Sequence, residues 1–240
     1  MMKRRTKVVW AILIGLLVSL AAGYGVVKAK TYGPSQAAQT AVKTATVTSN
    51  YTEFKGQASK TAIVFYPGAL VDPASYSSWA KRVAQQGHSV YLMHFPLDLA
   101  VLAGNRADKV PSKVRRNYVI GGHSLGGVMA SRYAVKHPRG LKGVFYLASY
   151  PDKKGRLDQT TLPALSMTAS RDGVLNWSHY RQSKVYLPAH TTLVKIMGGN
   201  HAGFGSYGPQ KGDRPATLTN AQQQVKVSQY LTRWLTKITE

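Results

Sequence analysis

Apolar positions along the chain fall into two alternating patterns. Short, nearly continuous apolar runs at residues 61–66, 89–95, 141–149, 162–169 and 191–197 read as buried strands, bounded by Gly, Pro or polar clusters. Between them lie stretches with helical spacing: 74–86, closed by Gly87; 97–109; and 125–136, stopped near Pro138. The last stretch, 220–238, carries Val227, Leu231, Trp234 and Ile238 on one face. Strands that alternate with helices predict a mostly parallel central sheet covered on both faces. Residues 51–57 and the Thr-rich stretch before them predict one or two antiparallel strands at its edge.

The first thirty residues break this pattern. Residues 8–27 form an uncharged run behind Lys3, Arg4, Arg5 and Lys7, and Lys28 and Lys30 follow it. A bilayer-spanning helix needs about 20 apolar residues, and a basic cluster stays on the cytoplasmic side. Residues 1–30 therefore predict a membrane anchor that places the rest of the chain outside the cell. Small residues at 19–23 leave a cleaved export signal as the alternative. Residues 31–50, rich in Ala, Thr, Gln and Ser with Gly33-Pro34, read as a spacer, and residues 51–240 as one catalytic-size domain.

The chain has no cysteine, which excludes thiolate chemistry and disulfides. It carries 32 Lys and Arg against nine Asp and Glu, and six of the basic residues precede residue 31, which leaves +17 on the remainder. That scattered charge predicts affinity for anionic lipid or an anionic cell-wall polymer. No nucleic-acid reading motif accompanies it, so no specific nucleic-acid partner is expected. Neither a metal nor an organic cofactor is expected, because the chain has no H-E-x-x-H, G-x-G-x-x-G or P-loop pattern.

The stretch GGHSLGG, residues 121–127, sits between a predicted strand and a predicted helix and fits G-x-S-x-G. In that context Ser124 is the candidate nucleophile on a tight turn. A serine hydroxyl needs a histidine base and a carboxylate to orient it, in the order Ser, Asp, His. Asp172 follows the 162–169 strand and His201 follows the 191–197 strand, so each falls at a strand's carboxyl end, where α/β folds place their sites. Asp152 is the rival acid. The remaining histidines lack that position, and His123, beside the serine, reads as structural support. Two oxyanion donors are expected from backbone N–H groups: Leu125, directly after the serine, and Ala69 in the loop that begins at Pro67-Gly68, with Leu70 as the alternative.

Together the stretches FYPGALVDPASY (65–76), FPLDLAVL (95–102), GGHSLGG (121–127), SRDGV (170–174) and GGNHAGFGSYG (198–208) resemble the α/β-hydrolase superfamily, in particular a compact branch similar to dienelactone hydrolases but carrying serine. The resemblance implies the α/β-hydrolase fold and the triad Ser124, Asp172 and His201. Many members have His-Gly in the oxyanion loop where this chain has Pro67-Gly68. About a dozen residues separate the 141–149 and 162–169 strands, where larger relatives insert a lid, so the lid is expected to be minimal and the site open. Phe204 and Tyr207 are candidates for an aromatic substrate wall. The expected activity is ester hydrolysis through an acyl-enzyme. Acyl transfer to an envelope acceptor and a non-catalytic envelope-binding module are the alternatives.

Overall fold

A computed structural model describes residues 4–239; Met1–Lys3, Glu240 and some side chains of the first helix lie outside it. The chain divides into two units, residues 1–31 and 32–240. The first is a single helix, α1 (Arg4–Ala29), about 39 Å long at 1.5 Å per residue. It contains the uncharged run, part of which falls outside the described residues. Among the described residues no helix is long and apolar enough to cross a membrane.

The second unit is built on eight strands: β1 (Thr46–Val47), β2 (Tyr51–Phe54), β3 (Ala62–Tyr66), β4 (Val90–Met93), β5 (Tyr118–His123), β6 (Leu141–Leu147), β7 (Ala164–Ala169) and β8 (Thr191–Ile196). They form one sheet in the order β1-β2-β4-β3-β5-β6-β7-β8. β3 to β8 pair in parallel, while β1 and β2 add an antiparallel edge, as the pattern predicts. Side chains of a strand alternate between faces, which divides the apolar runs into two cores. Ile63, Phe65, Leu92, Phe145 and Leu165 point to one side, against Trp79 and Val83 of α3 (Ser77–Gln85) and Val227, Leu231 and Leu235 of α6 (Asn220–Thr239). Val64, Tyr66, Met93, Ile120 and Tyr146 point to the other, against Met129, Ala130 and Tyr133 of α4 (Leu125–Lys136).

Two local expectations are corrected. Residues 97–109 form short 3-10 turns rather than a helix, because Leu97 and Asp98 both take positive φ, near 55°, and break the helical run. Residues 31–50 are not a free spacer. Tyr32 exchanges backbone hydrogen bonds with Leu70 and Asp72 at 2.8 and 3.0 Å. Ser35 then caps α2 (Gln36–Val42), whose Ala38 and Ala41 are buried, and the chain runs on into β1. Small alanines allow this short helix to pack closely, a signal that low periodicity hides.

A spacer would tolerate a charge at Ala38 within about 0.5 kcal/mol. A packed segment would not. Ala38→Asp is expected to lower the unfolding free energy of the full chain by at least about 2 kcal/mol, as read by denaturant unfolding, since it buries an unpaired carboxylate.

Candidate active site

β5 lies near the middle of the sheet, between β3 and β6, and its last residue, His123, leads directly into Ser124. Ser124 has φ 51° and ψ −126°, a conformation that side chains seldom adopt and that surrounding contacts must hold. Its N–H donates to the Leu147 carbonyl at 3.0 Å, and its carbonyl accepts from the Gly127 N–H at 3.1 Å and from the Ser149 hydroxyl at 2.6 Å. Gly126 has to be glycine, because a Cβ there would run into the main-chain carbonyls of Tyr66 and Pro67. The result is a half-buried serine at the head of α4, presented above the carboxyl edge of the sheet.

The turns after β7 and β8 bring Asp172 and His201 together. Both are buried, 0 and 1 % exposed, and His201 Nδ1 lies 2.9 Å from Asp172 Oδ2. The other carboxylate oxygen, Oδ1, accepts from the backbone N–H groups of Val174 and Leu175 at 2.9 and 2.8 Å. A carboxylate fixed in this way accepts the proton of Nδ1 and leaves Nε2 as the free lone pair of the neutral ring. Among the described residues His201 Nε2 has no hydrogen-bond partner, so no bond joins it to the Ser124 hydroxyl. Such catalytic bonds commonly tighten only when substrate is bound.

The backbone amides of Leu125 and Ala69 donate to no other group of the described residues. Leu70 is different: its N–H is committed to the Asp98 carbonyl at 2.9 Å, which removes it as the alternative donor.

The alpha/beta hydrolase family model matches residues 62–225, more than half of the chain and all of these elements. The chain belongs to this family. Solved structures similar to it include an α/β hydrolase enzyme from a metagenome of lagoon sediments at Mar Chica, Morocco, with 16 % identity and TM-score 0.61 over 82 % of this chain and 99 % of that one. A dienelactone hydrolase from Anabaena variabilis aligns with 15 % identity and TM-score 0.55 over 78 % and 90 %. A monoacylglycerol lipase from Paleococcus ferrophilus aligns with 13 % identity and TM-score 0.59 over 78 % and 98 %. At these identities the likeness establishes the fold. Among curated proteins no sequence matches.

Against that family fold, the connection between β6 and β7 is short and holds only a 3-10 turn, Lys153–Gly155, so nothing of lid size covers the serine from that side. Asp152, the rival acid, lies in this connection, and the carboxylate that meets His201 is Asp172 instead. Arg132 of α4 grips its carboxylate, with Nε 3.0 Å from Oδ2, and the Gly155 N–H donates to Oδ1 at 2.9 Å. Partial burial alone would raise its pKa, but these hydrogen bonds outweigh it and hold the carboxyl below its usual range. The proposed aromatic wall is also corrected. Phe204 is fully buried in the core and Tyr207 is 8 % exposed, its hydroxyl donating to Gln210 at 2.9 Å. Both fasten the histidine loop to the domain, together with Ala202, because a loop dense in glycine has few other side chains with which to pack.

Sequence reasoning missed what holds that loop from behind. Gln223 of α6 accepts from the Asn200 N–H at 3.0 Å and donates to the Asn200 carbonyl at 2.8 Å. Gln224 donates to the carbonyls of Gly203 and Gly205 at 2.8 and 2.9 Å. Asp213 accepts from the Ala202 N–H at 2.9 Å. The signal was present: the buried stripe of α6 that holds Val227 and Leu231 begins with two amides, and buried amides require partners. Among the described residues no group of three or more His, Asp or Glu could hold a metal ion.

Asp152 supplies a test that separates a structural from a chemical carboxylate. Its pKa is lowered on folding, so its contribution is present above the unfolded value of about 3.9 and is lost as the pH falls through the folded one. Asp152→Asn should therefore be less stable than the wild type at pH 7, with the gap closing below about pH 4, as read by denaturant unfolding at each pH.

Proposed function

We propose that the protein is a serine hydrolase that cleaves carboxylic esters through an acyl-enzyme. The observation that carries this reading is the buried His201–Asp172 pair, 2.9 Å apart, whose free Nε2 belongs to the same strand-end cluster as the strained Ser124. In the proposed cycle Nε2 takes the Ser124 proton as Oγ attacks the ester carbonyl carbon. The carbonyl oxygen becomes an oxyanion and accepts from the Leu125 and Ala69 amides, each worth about 3 kcal/mol of barrier in comparable sites. Asp172 stays ionised and stabilises the imidazolium. Nε2–H then protonates the departing alkoxide, and the C–O bond to the alcohol breaks. A water molecule gives its proton to Nε2 and attacks the acyl carbon; Nε2–H then returns the proton to Ser124 Oγ as the acyl–Oγ bond breaks, which releases the acid and restores Ser124.

The small β6–β7 connection favours substrates whose acyl or alcohol part extends into solvent. A groove of about 830 Å³ runs beside α4 and is lined by Arg106, Lys109, Arg132, Lys136 and Lys154 together with Leu102. It supports an anionic partner, either lipid or envelope polymer. Membrane attachment through α1 is part of the proposal. It is supported by the uncharged run with basic flanks and by the exposure of Val9, Trp10, Ile12, Leu13, Ile14 and Val26.

The full chain should hydrolyse short-chain p-nitrophenyl esters, and Ser124→Ala should lower kcat by at least about 1000-fold without a change in thermal unfolding. Activity retained in that variant would end the assignment. Butanol in the assay should divert little product from the free acid; predominant butyl ester would point to acyl transfer instead. With vesicles containing anionic lipid, the full chain should sediment at any salt concentration, whereas residues 32–240 should bind only at low salt.

A further inference from the structure

His123 is a fully buried titratable group that the cycle above does not use. It directly precedes Ser124, and its ring lies 4.4 Å from that of His201, centroid to centroid. Its Nδ1 is 2.9 Å from the Tyr76 hydroxyl, and that hydroxyl lies 3.0 Å from the backbone nitrogen of Gly68.

The direction of each bond follows from the atoms. An N–H can only donate, so the Tyr76 oxygen accepts from Gly68. Burial pushes the Tyr76 pKa far up, so the phenol keeps its proton, and that proton goes to Nδ1 of His123. Nδ1 is therefore an acceptor and Nε2 carries the ring proton, a buried N–H without a hydrogen-bond partner among the described residues. Burial first, and then the nearby His201 imidazole, push the His123 pKa well down, so the ring stays neutral beside the base.

The consequence falls on Ala69. Gly68 on one side is held by Tyr76, and Leu70 on the other donates to the Asp98 carbonyl at 2.9 Å. The Ala69 amide is suspended between two fixed neighbours and is itself unengaged. Only glycine permits this approach at 68, since a Cβ would stand 2.9 Å from His123 Nδ1 and 3.2 Å from the Tyr76 oxygen. Tyr76 is fixed in turn by its own 3-10 turn, Pro73–Tyr76, capped by Asp72, whose carboxylate accepts from the Ala74 N–H at 2.8 Å.

We propose that Tyr76 and His123 form one positioning unit, which aims the Ala69 amide at the oxyanion and ties the oxyanion loop to the turn that bears Ser124. The inference rests on the ester-hydrolase reading of Ser124. The unit touches no reacting atom; it acts through the Gly68–Ala69 backbone and through the ring packed on His201.

The test is steady-state hydrolysis of p-nitrophenyl butyrate by the full chain, with thermal unfolding measured in parallel. Tyr76→Phe keeps the ring and removes the relay; it should lower kcat about 10- to 100-fold with KM within about twofold, since misplaced catalytic groups cost rate rather than ground-state binding. His123→Leu should match it. His123→Asn offers an amide oxygen near the Nδ1 position and should recover most of what His123→Leu loses. The double variant Tyr76→Phe/His123→Leu should be no slower than either single one, because two parts of one unit are not additive. Given Ser124-dependent turnover in the wild type, the proposal is overturned if Tyr76→Phe keeps kcat within about twofold, if its loss lies in KM alone, or if the two losses multiply. A wild type without Ser124-dependent turnover overturns the hydrolase reading itself, and this inference with it.

Discussion

The turn at the end of β5 constrains everything around it. Ser124 is held at a positive φ, and that conformation persists only because the backbones of β3, β6 and α4 close in on it. Gly126 packs on the carbonyls that follow β3, and the Ser124 amide is tied to the last residue of β6. The sheet order supplies these neighbours: β5 can meet both β3 and β6 only as an interior parallel strand. The same closeness brings the start of α4 beside the 67–70 loop, so the turn carries the Ser124 hydroxyl and the unengaged Leu125 amide while the adjacent loop carries the unengaged Ala69 amide.

A second constraint is electrostatic. Asp172 is a fully buried carboxylate in a strongly basic protein, and its charge is matched by short-range donors rather than by the surface field. Two backbone N–H groups and the imidazole satisfy its oxygens, and the Asp172 carbonyl accepts from Trp177 and Arg214 at 3.1 and 2.8 Å. Burying a charge is tolerable when its hydrogen bonds are complete. The buried glutamines of α6 do the same for the histidine loop, whose glycines leave many backbone groups in need of partners. These bonds hold the site in place, and His201 Nε2 is among the buried polar atoms of the described residues left without a partner.

Much of this was legible in the sequence, and the reasons are physical. Buried parallel strands write themselves as continuous apolar runs, and G-x-S-x-G is forced by sterics, so the fold, Ser124 and the strand-end positions of Asp172 and His201 follow from pattern alone. Packing that depends on small or aromatic residues in irregular backbone is not written that way. Residues 31–50 looked like a spacer because alanines pack without periodicity. Phe204 and Tyr207 looked available because an aromatic in a glycine-rich loop reads the same whether it faces substrate or core. The partnership of Tyr76 with His123 spans 47 residues and depends on a 2.9 Å contact that no local pattern encodes.

In the proposed chemistry Ser124 attacks while the Leu125 and Ala69 amides receive the negative charge. Its most direct test is a crystal structure of the protein after reaction with a small alkyl fluorophosphonate. The expected structure has a phosphorus–oxygen bond to Ser124, the phosphoryl oxygen accepting from both amides, and His201 Nε2 facing the Ser124 oxygen. A protein left unmodified, an adduct on another residue, or a phosphoryl oxygen turned away from Ala69 and Leu125 would contradict it.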